Sequence, residues 1–319
     1  VAPQISGTKI PDRILELDPE NYDGLSYKGE SNFESENYSD AIKYFSKCLE
    51  IDENDYEILF YYGKSLRGIG RSVEAINIFN NILKKHPDND ACILERAHAS
   101  FDIKDYEDAI NYYDKILAKD PEQYVPLYWR ALSLGHLKKY GEAMFTLKKL
   151  EENFSDSLNV LEALADCSAT MENFDDSRKY CKKMLEIDGE NSDVLSAMAQ
   201  IEDHLGNLDE ARVYAEKCLI LNPDDSRAQI IKAHSLLNSG QFDMAEMLLE
   251  KNIRTLRAEH EKGNVLYLAD TMDHKLANFL MAEIYAERKD FKRAMDFLSL
   301  VITHKNDRFY EGFVKSIKE

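Results

Sequence analysis

The chain has little of what an exported disulfide scaffold, a membrane protein or a metal enzyme needs. Its 319 residues hold five cysteines (Cys48, Cys92, Cys167, Cys181 and Cys218), an odd number with no CxxC pair. That argues against a disulfide framework and against a thiolate zinc site, and favours a reducing, intracellular (cytoplasmic) setting. Apolar runs are short. The longest is about six residues around Phe297–Ile302, against the ~20 that cross a bilayer, so no membrane insertion is expected. Val1–Pro11 has neither a charged leader region nor an apolar one and does not read as a signal peptide. Positive charge is also scarce, with 40 Lys and Arg against 59 Asp and Glu and a net charge of −19. The cations are interleaved with acids and form no stripe, which argues against nucleic-acid binding.

Catalytic signatures fail on inspection. Gly63-Lys64-Ser65 ends like a phosphate loop, but the leading Gly position holds Ile58. Gly68-Ile69-Gly70 lacks a third Gly. Asp52-Glu53-Asn54 opens like a calcium loop, yet Glu57 takes its obligatory Gly position. No HExxH, GxSxG or Cys/His cluster occurs. The sequence therefore offers no catalytic residue, no cofactor and no metal site.

What is present is a period. Small residues recur at Gly29, Gly63, Ala97, Ala131, Ala165, Ala199 and Ala233, each 34 after the last. A second series, twelve residues later in each unit, runs Ala41, Ala75, Ala109, Ala143, Ser177, Ala211 and Ala245. A large residue follows it by four in Phe45, Phe79, Tyr113, Leu147 and Leu249, and Pro87, Pro121 and Pro223 close units. Small residues let two helices approach, the large residue fills the gap to the next pair, and Pro stops the second helix. Polar turns such as Glu36–Ser39, Lys104–Asp105 and Gly206–Asp209 separate the two helices.

These residues resemble the tetratricopeptide repeat family over about nine tenths of the chain. Tyr56–Asn89 is the best match, with Leu59, Gly63, Leu66, Ala75, Phe79, Ile82 and Pro87 in phase. The resemblance implies an all-α fold, a right-handed α-solenoid of about eight helix-turn-helix hairpins with partial capping helices. The expected organisation is an N-terminal arm and partial helix over 1–21 and seven in-phase units over 22–259. An insertion or lengthened helix region follows over 260–274, then an eighth unit over 275–308 and a capping helix over 309–319. The eighth unit is displaced by fifteen residues, since Ala282 and Ala294 each lie 49 after Ala233 and Ala245. Apolar spacing over Met244–Glu261 predicts a lengthened second helix stopped at Gly263.

In this family the first helix of each unit lines a groove, and that role is implied here by the resemblance. The inward positions then offer Tyr27 in unit one and Phe60, Tyr61, Lys64 and Arg67 in unit two. They offer Leu94, His98 and Phe101 in unit three, Tyr128 and Trp129 in unit four, Ile231 in unit seven and Phe279 in unit eight. Such rings either anchor a bound peptide or pack sideways between neighbouring helices. Lys64 and Arg67 either meet a partner carboxylate or pair with Glu30, Glu34 and Glu95. The clamp by which some relatives hold a C-terminal carboxylate is missing, because its positions hold Ser26, Glu30, Tyr61, Ala91 and Glu95. Units five and six offer Glu162, Asp166, Gln200 and Asp203, so the groove reads aromatic, then acidic, then aliphatic. His98, His136, His204 and His234 are expected to be solvated there and to titrate near pH 6–7.

The expected function is a non-catalytic scaffold or adaptor that holds an extended peptide or helix of another protein, one with basic and apolar segments. A structural subunit contacting its neighbours through the array edges, and a sensor of a peptide or small molecule, are the alternatives.

Overall fold

The computed structural model describes residues 9–262 and 272–301; the expected arm, the turn after Gly263 and the C-terminal cap lie wholly or partly outside them. Among the described residues there are 17 helices and no strand. The chain divides into two compact units, 1–155 and 156–319.

In the first unit a short helix α1 (Lys9–Leu17) leads into four hairpins. They are α2 (Tyr22–Glu34) with α3 (Tyr38–Ile51), α4 (Tyr56–Gly68) with α5 (Ser72–Lys85), α6 (Asp90–Asp102) with α7 (Tyr106–Leu117), and α8 (Tyr124–His136) with α9 (Tyr140–Asn153). Each helix packs on the next in sequence, and successive first helices α2, α4, α6 and α8 touch one another. The unit is thus an α-solenoid of two helix layers. The small-residue seam explains the close approach. A Cβ on Gly63 would stand 2.8 Å from the Phe79 ring, and one on Gly29 would run into Phe45. Both rings are fully buried, as is Tyr113 beside Ala97.

The second unit holds α10 (Leu158–Thr170) with α11 (Phe174–Ile187), α12 (Ser192–His204) with α13 (Leu208–Leu221), α14 (Ser226–Asn238) with α15 (Phe242–Glu261), and α16 (Met272–Glu287) with α17 (Phe291–Val301). Helix α15 runs for 20 residues and α16 for 16, against 13 and 14 in the hairpins α10–α11 and α12–α13. The long α15 carries a polar core position. Asn252, fully buried, donates to the Ser226 carbonyl at 3.1 Å and to Gln229 Oε1 at 3.1 Å.

The turns repeat as strictly as the apolar seam. The residue between the two helices is left-handed at Glu36, Gly70, Lys104, Lys138, Glu172, Gly206 and Gly240, again 34 apart, and then at Lys289. The next amide closes a six-residue ring, as in Arg71 N to the Leu66 carbonyl at 2.9 Å. Only three of these eight positions are glycine, so the paired helices, and not glycine's conformational freedom, hold the turn. First helices begin on Asn21, Asp55, Asn89, Asn191 and Asp225, whose side chains accept from backbone amides of the first turn.

A second recurring tie links four of the first helices to the helix before. A cation on the first helix reaches back 16 residues to the preceding second helix. Arg130 Nε donates to Asp114 at 2.6 Å, Lys232 pairs with Glu216 at 3.0 Å, and Lys28 pairs with Asp12. In the same place Arg96 Nε donates to Asn80 at 2.9 Å.

Candidate interaction surface

The first-helix face of the first unit carries a chain of rings. Phe33 meets Tyr61 edge-on at 5.2 Å, Tyr61 meets Phe60 at 5.9 Å, and Phe60 stacks on Tyr56 at 6.3 Å. The Lys64 ammonium stands over Phe33, Phe60 and Tyr61 at 5.2, 5.5 and 6.0 Å. Its charge is thus held by three ring faces as well as by a carboxylate. That carboxylate is Glu95, 3.4 Å from Lys64 and 3.6 Å from Arg67, while Arg67 also lies 3.8 Å from Asp102. The pairing falls on Glu95 and Asp102 of the next first helix, α6, and Glu30 instead accepts from Ser26 at 2.9 Å. Glu95 Oε2 is buried and accepts no hydrogen bond, so the pair contacts at 3.4–3.6 Å leave acceptor capacity unused.

Trp129 of α8 is the hub of the next ring group. It meets His98 at 5.0 Å, Phe101 at 4.9 Å and Tyr128 at 6.0 Å, while His136 stacks on Tyr106 at 4.5 Å. Leu94 packs half-buried with Ala97, Tyr113 and Trp129. Phe60, Tyr61, Lys64, Arg67, Leu94, His98, Phe101, Tyr128 and Trp129 are therefore one neighbourhood on α4, α6 and α8, all partly exposed. Sideways packing and a presented surface coexist in these rings. Tyr27, 63% exposed, stands outside the ring contacts.

In the second unit the two remaining candidates sit differently. Ile231 is only 5% exposed and packs in the core with Leu195, Ala199 and Ala228, so little of it is left to touch a ligand. Phe279 is half-buried against the cluster of Ala282 and Leu298. His234 Nδ1 lies 2.8 Å from Asp203, and that hydrogen bond raises its pKa.

His98 corrects the expectation of a solvated groove imidazole. Its Nδ1 lies 2.8 Å from the Tyr113 hydroxyl, and its pKa is pushed down to about 4 by burial, then by Arg67 and Lys64. Below pH 6.5 the unfolded chain takes up a proton that the fold refuses. Stability is therefore lost as pH falls from about 6.5 to 4, at up to about 1.4 kcal/mol per unit. We expect NMR titration to show His98 still neutral at pH 5 while His234 titrates above its ordinary value, and His98→Leu to flatten the acid slope. A His98 midpoint near 6.5 would overturn that reading.

The sequence named Glu95 only as one of three possible counter-ions, and it did not point to the buried Arg96. Glu95 is an acid at the position where other units carry Tyr27, Tyr61, Trp129, Ala163, Ala197 and Ile231, and that mismatch with the period was the available signal; Arg96 shares its position with Lys28, Arg130 and Lys232 and gave none. Among the described residues no group of His, Cys, Asp and Glu has metal-binding geometry, and no helix is long and apolar enough to cross a membrane. All five cysteines are free and buried.

Two overlapping stretches, 34–116 and 103–184, match the family model described as anaphase-promoting complex, cyclosome, subunit 3, and 192–225 matches that of the tetratricopeptide repeat. A tetratricopeptide repeat protein from Parabacteroides merdae superposes with a TM-score of 0.59 at 17% identity, covering 86% of this chain and 98% of that one. The anaphase-promoting complex hetero-tetramer Cut9-Hcn1 superposes with a TM-score of 0.57 at 15% identity, over 98% of this chain and 59% of that chain. At these identities the likeness is one of fold. No curated protein matches the sequence.

Proposed function

This chain belongs to the tetratricopeptide repeat family, and on that premise we propose that it is a non-catalytic scaffold or adaptor that holds a segment of a partner protein on its first-helix face. The observation that carries this is the joined face of α4, α6 and α8. There Tyr61, Lys64, Phe101 and Trp129 are fixed by their neighbours yet remain partly open to solvent. Rings already ordered by packing lose little freedom when a partner covers them, which is what makes aromatic anchors effective. The partner in this reading is another protein with apolar and basic segments, and neither nucleic acid nor a membrane. The protein works in a reducing, intracellular compartment, in keeping with five buried free thiols.

Capture from source lysate followed by mass spectrometry tests the reading, with Tyr61→Ala/Trp129→Ala as the comparison. We expect the double variant to keep its helix content and to lose at least tenfold in recovery of the specific partner, as two hot-spot rings would give. Recovery of the same proteins by both forms would overturn it.

One observation favours a second reading, a structural subunit of a larger assembly. Residues 34–184 match a model built on a subunit of the anaphase-promoting complex. In that case native mass would rise in lysate with or without the Tyr61 and Trp129 rings.

A further inference from the structure

In the first unit, neighbouring first helices share three recurring contact positions, two on the earlier helix and one on the later. In the first unit these junctions are filled by Phe33 against Tyr61, by Lys64 and Arg67 against Glu95, and by Phe101 and His98 against Trp129. The equivalent positions at the junction of α10 and α12 hold Asp166 and Ala169 on α10 and Ala197 on α12. It is the one junction inside either unit where two of the three positions are alanine. Among the described residues nothing fills the place of the ring, and a recess of about 520 Å³ opens there, with Cys181 and Met184 of α11 on its lining. It continues past Ala169 and Gln200 into a second hollow of about 720 Å³. The packing of α11 on α12 is sparser than at α3–α4, α5–α6, α7–α8 or α13–α14, in keeping with the gap.

The lining is strongly acidic. Glu162, Asp166, Asp193, Asp225 and Asp273 stand around the first hollow against one cation, Arg227. Two of the five are already committed. Asp225 caps α14, accepting from the Ala228 amide at 2.8 Å, and Asp273 lies 3.7 Å from Arg227 on the far rim. Glu162, Asp166 and Asp193 have no cation of the described residues within ion-pair distance, although 15 of the 22 ion pairs along the described chain join residues more than four apart in sequence. Burial raises the pKa of Asp166. Burial and then the charges of Asp166 and Asp193 raise that of Glu162. Three carboxylates are thus crowded at the mouth of a slot too large for the alanines that line it.

We propose that the slot between α10 and α12 receives an arginine side chain of the partner segment. The guanidinium would lie among Glu162, Asp166 and Asp193, and its stem would pass over Ala169 and Ala197, where the α2–α4 and α6–α8 junctions carry rings. Arginine fits better than lysine because its planar fork presents five donors and can bridge more than one carboxylate, whereas an ammonium is a point charge. Its apolar stem and flat head also fill the volume of a missing aromatic side chain. This deepens the scaffold reading by naming what the acidic part of the first-helix face selects. It rests on that reading only for the ligand being part of a protein.

The test uses the whole chain and a probe that needs no identified partner. Amide NMR shifts are followed while N-acetyl-arginine methylamide is added, with N-acetyl-citrulline methylamide as the neutral isostere. We expect arginine-specific shifts confined to α10, α12 and the start of α14. They should weaken at least fivefold in Asp166→Asn and vanish in Ala197→Tyr, which puts back the ring that Tyr61 supplies at its own junction. Unchanged melting of Asp166→Asn keeps the comparison sound should the tyrosine disturb packing. Shifts spread evenly over the acidic surface, equal shifts with citrulline, or binding that survives both substitutions would each overturn the slot. Such a failure leaves the Tyr61/Trp129 capture result untouched, because that experiment reads the first unit alone.

Discussion

Replacing Phe79 by alanine should remove about 3–5 kcal/mol from the unfolding free energy of the first unit, the range for truncating a buried aromatic side chain. The ring is fully buried, lies against the backbone of Gly63 and meets Phe60 edge-on at 6.2 Å. Loss of its transfer free energy is compounded by a cavity between two helices that are already as close as their small residues allow, so they cannot collapse much further. In a stacked array each hairpin touches only its neighbours, so the damage should centre on α4 and α5. Urea unfolding together with amide exchange checks both parts. The midpoint should fall, and protection should drop first over 56–85. Phe145→Ala serves as the contrast: that ring is 65% exposed and its loss should cost under about 0.5 kcal/mol. Equal effects from the two substitutions would mean that the seam does not bear the load assigned to it.

The same pair of residues shows what the sequence could reveal. Gly63 and Phe79 were readable because steric demands repeat: a small residue and a ring must recur together wherever two helices cross in the same way. The left-handed turns were harder to see. Five of the eight are Glu or Lys, residues that carry no signal for positive φ on their own. The ion ties at a spacing of 16 were invisible for another reason, since their members change among Lys, Arg, Asp, Glu and Asn from unit to unit. Charge pairing tolerates such exchange and packing does not. On the first-helix face, the sequence left open which acid Lys64 and Arg67 would face. Glu95 won over Glu30 and Glu34 because α6 brings its carboxylate between the two cations, whereas Glu30 is turned to Ser26 on its own helix. Ile231 shared the inward phase of Tyr61 and Trp129 yet went into the core, because an aliphatic side chain there gains more from burial than a ring with a polar edge.

The second large effect should come from Asp108→Ala, which ought to destabilise the first unit by about 2–3 kcal/mol. Arg96 is 7% exposed, and its guanidinium is held by Asn80 Oδ1 at 2.9 Å, by Asp108 at 2.7 Å, by the Ser100 hydroxyl and by the Tyr112 ring at 4.5 Å. Ser100 Oγ also donates to the same Asp108 oxygen at 2.7 Å, so one carboxylate satisfies two buried groups. Removing it leaves the guanidinium with neutral partners only, in a place that water reaches poorly. The penalty falls short of that for a fully enclosed pair because Asp108 is itself about a third exposed and solvent screens part of the charge. The double substitution Arg96→Met/Asp108→Ala separates the cost of an orphaned charge from the worth of the pair. With no charge left to desolvate, it should regain most of the lost stability. Asp40→Ala, which breaks the exposed pair with Lys43, gives the scale for a surface contact and should change little. If the double variant were as unstable as Asp108→Ala alone, the energy would reside in packing by the arginine stem and not in the charge it leaves behind.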